Sequence, residues 1–257
     1  MTKSPQQITM LYRDLLAAAM ILTRIPVDYP DGDAPNSARS YWAFPIVGIG
    51  VAAIPALIAS LMASLGVPAL AAAALALFLI MLATGGLHQD GLADLADSLG
   101  GRDPSHRLEI MHDSAIGSFG TLGLITMLII QTACLAHLSA ADPFYMAAGI
   151  IAVAGMSRSM MAFQRWHRPT PTDQGLASIT GKPSAQVMVI SLMLGVLTGL
   201  VFISTSATLI SMAAGLILAF LIGGFMMRWV GGVNGDGLGA TQQMTESLML
   251  IILAVTV

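Results

Sequence analysis

Charge is scarce in this sequence. Only 10% of its 257 residues are Asp, Glu, Lys or Arg, where a soluble domain carries about 25%. So few charges cannot cover a water-facing surface, which excludes an ordinary soluble fold. The net charge of −3 offers no basic field to a nucleic acid, and no such partner is expected. A single cysteine, Cys134, excludes an intrachain disulfide, and its apolar setting makes it a packing residue. The N-terminal MTKSPQQITMLYRDLL lacks the basic, apolar, small-residue succession of a cleaved signal. With no repeat of fixed period and no low-complexity tract, residues 1–257 are expected to form one integral-membrane domain.

Apolar residues are abundant: 56% of the chain is hydrophobic and the mean hydropathy is +0.79. A membrane-crossing helix needs about 20 mostly apolar residues. Segments 41–64, 68–86, 117–138, 144–164, 186–204 and 207–228 qualify, and 245–257 is apolar but short. Segment 15–27, interrupted by Arg24 and closed by Pro26, reads as an interfacial or re-entrant helix. The expected fold is therefore all-α: a polytopic bundle of six to seven transmembrane helices plus that N-terminal helix, with the lipid bilayer as its surroundings. The connections near 65–67, 139–143 and 205–206 contain no Lys or Arg. All 11 basic residues lie in the N-terminal tail, in 87–116, 165–185 and 229–244, or in the span ends nearest them. By the positive-inside rule that side is cytoplasmic, and a site built from its long loops faces the cytoplasm.

On that side stands GGLHQDGLADLADSLGG, residues 85–101. Asp90, Asp94 and Asp97 follow i, i+4, i+7 and would share one helix face. Neighbouring carboxylates about 6 Å apart repel by roughly 3 kcal/mol at an effective dielectric near 20. A hard divalent cation would offset that repulsion, and Mg²⁺ commonly pairs one or two carboxylates with phosphate oxygens. The plainer alternative is a solvated helix face balanced by Arg102 and Arg107. Those arginines would either meet phosphate oxygens or snorkel at the interface. Asp113 precedes the next apolar run as a candidate proton acceptor or a helix cap. Residues 231–246, GGVNGDGLGATQQMTE, read as a glycine-rich loop that could cradle phosphate, with Asp236 as a further metal ligand, or as a plain turn. Glu246 would be costly unless paired or turned into the bundle. Residues 165–184 offer Arg168 and Lys182 either as an anion-binding rim or as an ordinary basic loop. The histidines show no transition-metal spacing, and His88, His106, His112 and His137 read as ordinary structural residues.

The long aspartate motif, RLEIMHDSAIGSFG (107–120) and GGVNGDGLGA (231–240) follow one another in an order that resembles the cobalamin synthase family, the adenosylcobinamide-GDP ribazoletransferases. LTRIPV at 22–27 and the RP…GL pattern at 168–176 extend the resemblance over essentially the whole chain. It departs from the family pattern at Gln89, at Ser98 and at Asn234, where an apolar residue, glycine and threonine are commoner. The resemblance implies an Mg²⁺-dependent enzyme of the cell inner membrane that joins adenosylcobinamide-GDP to α-ribazole or its 5′-phosphate and releases GMP. It would then use Asp90, Asp94, Asp97 and Asp236 as metal ligands, and Asp90, Asp94 and Asp113 in catalysis. His88, Arg102, Arg107, Arg168, Lys182 and Asn234 would contact substrate. It leaves room for a homo-oligomer. Two rival readings remain. A CDP-alcohol phosphotransferase would have Ala-Arg where this chain has Ala93-Asp94. A cation-coupled transporter would place its acids near the bilayer midplane.

Overall fold

In hydrocarbon every backbone N–H and C=O needs an internal partner, which helices provide. The computed structural model describes residues 5–29, 37–173 and 175–256, and among these there is no strand. The helices are α1 (Pro5–Leu22), α2 (Ser37–Ser40), α3 (Phe44–Ser64), α4 (Ala69–Thr84), α5 (Leu87–Asp97), α6 (Pro104–His112), α7 (Ser118–Ala141), α8 (Pro143–His167), α9 (Leu176–Ile179), α10 (Ala185–Phe202), α11 (Thr205–Trp229) and α12 (Gly235–Thr256). A 3₁₀ turn at Tyr41–Ala43 joins α2 to α3, so Ser37–Ser64 forms one apolar unit. That unit and α7, α8, α10, α11 and α12 are long and apolar enough to cross a membrane, which bears out the expected helical bundle.

Two segments differ from their expected form. The last helix is a full 22 residues, because most of the supposed glycine-rich loop is helical from Gly235 onward. Glycine weakens helices in water but is tolerated in membrane helices, where it lets neighbours approach closely. The second apolar segment stops early: α4 has 16 residues and is about 24 Å long, against a hydrocarbon core of about 30 Å. It qualifies as a span only together with α5, toward which the chain turns by 92°. Gly85 and Gly86 make the corner, both in the left-handed conformation (φ 66° and 70°) that favours glycine. The Gly86 N–H donates to Met81 O at 2.9 Å, and the Arg24 N–H, just past α1, donates to Ala83 O at 2.8 Å. Arg24 packs directly on Gly85, leaving no room for a side chain there.

Helix α8 is the axis of the bundle and is buried on nearly every face, packed by α3, α7, α10, α11 and α12. Its small residues, among them Ala152, Ala154, Ser157 and Ala162, admit these neighbours at close range. Helices α7 and α10 lie outside and turn Leu122, Ile125, Ile129, Met193 and Leu197 outward, as lipid contact requires. The interior is not purely apolar. Glu246 is buried and accepts hydrogen bonds from Gln242 Nε2 and, at 3.3 Å, from Ser157 Oγ. Arg158 lies near enough to attract that carboxylate and donates from Nη1 to Ala154 O at 3.0 Å. Gln131 Nε2 extends the network to Gln243 Oε1 and to Ser247 Oγ at 2.9 Å. An intramembrane acid is thus turned inward and partnered, which lowers the cost of burying it.

Candidate functional site

Helix α5 carries the aspartates and lies across the first turns of α12. Two glycines bring them together. A Cβ on Gly91 would stand 2.7 Å from Asp236 O, and one on Gly239 would stand 3.2 Å from His88 O and Cα. Side chains at these positions would force the helices apart, so glycine fixes the approach. The result sets Asp90 and Asp94 of α5 beside Asp236 in the first turn of α12. Asp94 shows the electrostatic consequence: its carboxyl is pushed up to about 7 by burial, then by the carboxylates of Asp236, Asp90 and Asp97. All four influences act in the same direction, so among the described residues no basic group offsets the crowding at Asp94. Asp236 is steadied by Asn234, whose Nδ2 donates to Asp236 Oδ2 at 2.7 Å and whose Oδ1 accepts from Gly237 N at 3.0 Å. Asn234 thereby caps α12.

Asp97 is engaged differently from the metal-ligand role expected for it. Its Oδ2 accepts from Gly117 N at 2.7 Å and its Oδ1 from Gly120 N at 2.8 Å, so it caps α7 from across the chain. Glycine at 117 and 120 makes room for that carboxylate. Asp97→Ala should therefore lower stability by about 1–2 kcal/mol, the usual cost of a lost cap, less whatever relief of repulsion Asp94 gains. A lower thermal midpoint in detergent, alongside substrate KM values near those of the parent, would show it.

A cavity of about 260 Å³ adjoins the carboxylates. Its wall includes Asp90, His88, His112, Asn234 and Asp236, and it continues between apolar residues of α1, α3, α8 and α9. Tyr41 and Phe44 line it as a stacked pair with ring centroids 4.5 Å apart. The Tyr41 hydroxyl and Thr180 Oγ1 share a hydrogen bond of 3.1 Å. His88 is 1% exposed, and its Nε2 has no hydrogen-bond partner.

The other expected site residues do not line this cavity. Asp113 follows α6 and accepts from Ala115 N at 3.0 Å, in a local turn that precedes α7. Arg107 braces the loop: its Nη1 donates to Trp229 O at 3.1 Å and its guanidinium sits 3.5 Å above the Trp229 ring. Arg168 lies over Phe220, on the outer side of α11. Arg102 and Lys182 are exposed. Sequence reasoning did not pick out Tyr41, Phe44 or Thr180, which are distant from the aspartates in sequence and carry no motif of their own.

Comparison with known proteins shows the family to which the chain belongs. The family described as cobalamin-5-phosphate synthase matches residues 14–254. The relatives include an adenosylcobinamide-GDP ribazoletransferase of Rhizobium johnstonii, 38% identical over 94% of this chain and 96% of the relative. Enzymes of the same description from Azorhizobium caulinodans (37%, covering 93% and 94%) and Allorhizobium ampelinum (33%, covering 96% and 98%) also match. No solved structure matches. With the family matched from α1 into the last turns of α12, this chain belongs to the cobalamin-5-phosphate synthase family.

Proposed function

We propose that this chain joins adenosylcobinamide-GDP to α-ribazole, or to α-ribazole 5′-phosphate, releasing GMP and forming adenosylcobalamin or its 5′-phosphate. The observation that carries this reading is the meeting of Asp90, Asp94 and Asp236 beside a cavity. The relatives' names supply the corrinoid-GDP and ribazole substrates.

The donor set fits a hard divalent cation, since it is all carboxylate oxygen and Asp94 stays crowded without a positive partner. Among the described residues no three His, Cys, Asp or Glu side chains are placed to hold a metal ion together. Mg²⁺ commonly takes one or two carboxylates and completes its shell with phosphate and water, so the fit is to an ion that the substrate helps to hold. One or two of Asp90, Asp94 and Asp236 would hold it, and when bound it would neutralise charge on the diphosphate. In the transfer, a ribose hydroxyl oxygen bonds to the phosphorus that bears the cobinamide arm. The bond from that phosphorus to the GMP oxygen breaks, and GMP leaves with the electron pair. The hydroxyl proton passes to Asp90 or Asp236, the carboxylates on the cavity wall. Asp97 keeps the α5 and α7 ends together, and Asn234 orients Asp236. The gathering of basic residues in the loops at this end of the bundle supports a reading in which it faces the cytoplasm from the inner membrane.

The test is to incubate purified protein with adenosylcobinamide-GDP, α-ribazole and Mg²⁺ and to assay GMP and cobalamin. Equal yields of both support the reading; neither product, or undiminished products with excess chelator, would count against it or its metal. A pH dependence follows as well. Below about pH 7 Asp94 retains a proton, which a bound cation must displace. Apparent Mg²⁺ affinity should therefore rise about tenfold per pH unit up to that point and level off above it. Titration of Mg²⁺ by calorimetry between pH 5.5 and 8.5 measures this.

A further inference from the structure

The cavity beside the carboxylates is selective by size and by lining. At about 260 Å³ it is far too small for a corrin macrocycle, and most of its wall is too apolar for a diphosphate. A flat bicyclic group would lie well against the stacked Tyr41 and Phe44. Tyr41 is held in place by Thr180, so this wall is rigid. Among the polar groups on its wall, His88 is almost wholly buried, with Nε2 left without a partner. A buried polar atom without a partner is costly, and a ligand that supplies one recovers that cost. An acyl chain would fill the space but leave His88 unpaired.

We infer, on the transferase reading above, that this cavity is the acceptor subsite. It takes the heteroaromatic base of the nucleoside, whose in-plane ring nitrogen accepts a hydrogen bond from His88 Nε2, and it leaves the ribose beside Asp90 and Asp236. The corrinoid-GDP then approaches from the loop side and brings only its diphosphate to the carboxylates. His88 is a specificity-determining residue in this scheme, because a base without that ring nitrogen leaves its imidazole unpaired.

Equilibrium dialysis of radiolabelled α-ribazole against the purified full chain, without Mg²⁺ and both with and without the corrinoid-GDP, tests this separately from transfer. His88→Ala should weaken nucleoside binding about tenfold or more, and His88→Gln, which keeps an N–H donor, should recover part of it. Leu176→Trp, at a solvent-reaching position of the cavity wall, should weaken it too without touching His88. An indole riboside, which lacks the ring nitrogen, should bind wild type more weakly than α-ribazole by a similar factor. It should bind His88→Ala nearly as well as α-ribazole does. KM for the corrinoid-GDP should stay within about twofold in both variants. Nucleoside binding undetectable in wild type, or unchanged in both variants, overturns the acceptor subsite even if GMP is released. A raised KM for the corrinoid-GDP with unchanged nucleoside binding assigns the cavity to the other substrate and overturns it equally. Failure of the transferase reading shows separately, as absence of GMP from wild type with every substrate and Mg²⁺ present.

Discussion

Asp90→Asn should reduce GMP release by roughly 10³-fold while leaving the protein as stable as its parent, or more stable. The two halves of that result have one cause. Asp90 is an exposed carboxylate at the start of α5, on the cavity wall, and it is one of the groups that push Asp94 up to about 7. Removing its charge relieves repulsion in the metal-free protein, so nothing is lost from the fold. The sign of the pH effect agrees. Between the ordinary aspartate value and about 7, the folded chain holds a proton on Asp94 that the unfolded chain has released. Metal-free stability should therefore fall as pH rises through that window, and more gently in Asp90→Asn. Added Mg²⁺ should raise the thermal midpoint of the parent and raise that of the variant far less. Assays of GMP and of melting in detergent, each with and without Mg²⁺, read both halves. Near-normal turnover of Asp90→Asn would remove Asp90 from the catalytic group.

Gly91→Val should abolish activity for a different reason. A Cβ at 91 would stand 2.7 Å from Asp236 O and 2.8 Å from Asp236 Cα, and both are backbone atoms that cannot rotate away. Helices α5 and α12 would have to part, and Asp90 and Asp94 would move away from Asp236. Overpacking of this kind costs about 1–3 kcal/mol. The effect on transfer should exceed what that destabilisation explains, because the variant that survives purification would have its carboxylates spread. Gly50→Ala on α3 is the control: nothing lies within 4 Å of its Cβ position. It should be neutral, or stabilising by up to about 1 kcal/mol, with full activity. Thermal midpoints and Mg²⁺-dependent GMP release on the three proteins distinguish a geometric loss from a loss of folded protein. A Gly91→Val protein that kept wild-type turnover would mean that the α5–α12 approach is not what assembles the site.

Much of the arrangement was legible in the amino-acid order, for identifiable reasons. Apolar runs near bilayer length specified helices, and the segregation of basic residues specified which ends would share a face. The repulsion expected among Asp90, Asp94 and Asp97 is present at Asp94. The extent of the last helix was not legible, because glycine at 235, 237 and 239 signals a loop by any rule calibrated on water-exposed helices. Nor could spacing alone separate Asp97, which shares its register with Asp90 and Asp94 but turns both oxygens to the α7 backbone. Arg107 and Arg168 look like anion ligands in a loop, yet they lie against Trp229 and Phe220.

The sequence by itself determined that this is a membrane-embedded helical bundle, because 10% charge cannot clothe a surface in water. It also determined where the acids cluster, since their spacing is local and one helix face displays it. Only the tertiary structure decided which acids work together and what stands beside them. Asp236 reaches α5 through a glycine contact across some 145 residues of chain, and the cavity draws on α1, α3, α5, α6, α8, α9 and α12 at once. Contacts of that range depend on how helices pack, and helix packing is set by volume and shape at many positions together rather than by any pattern along one segment.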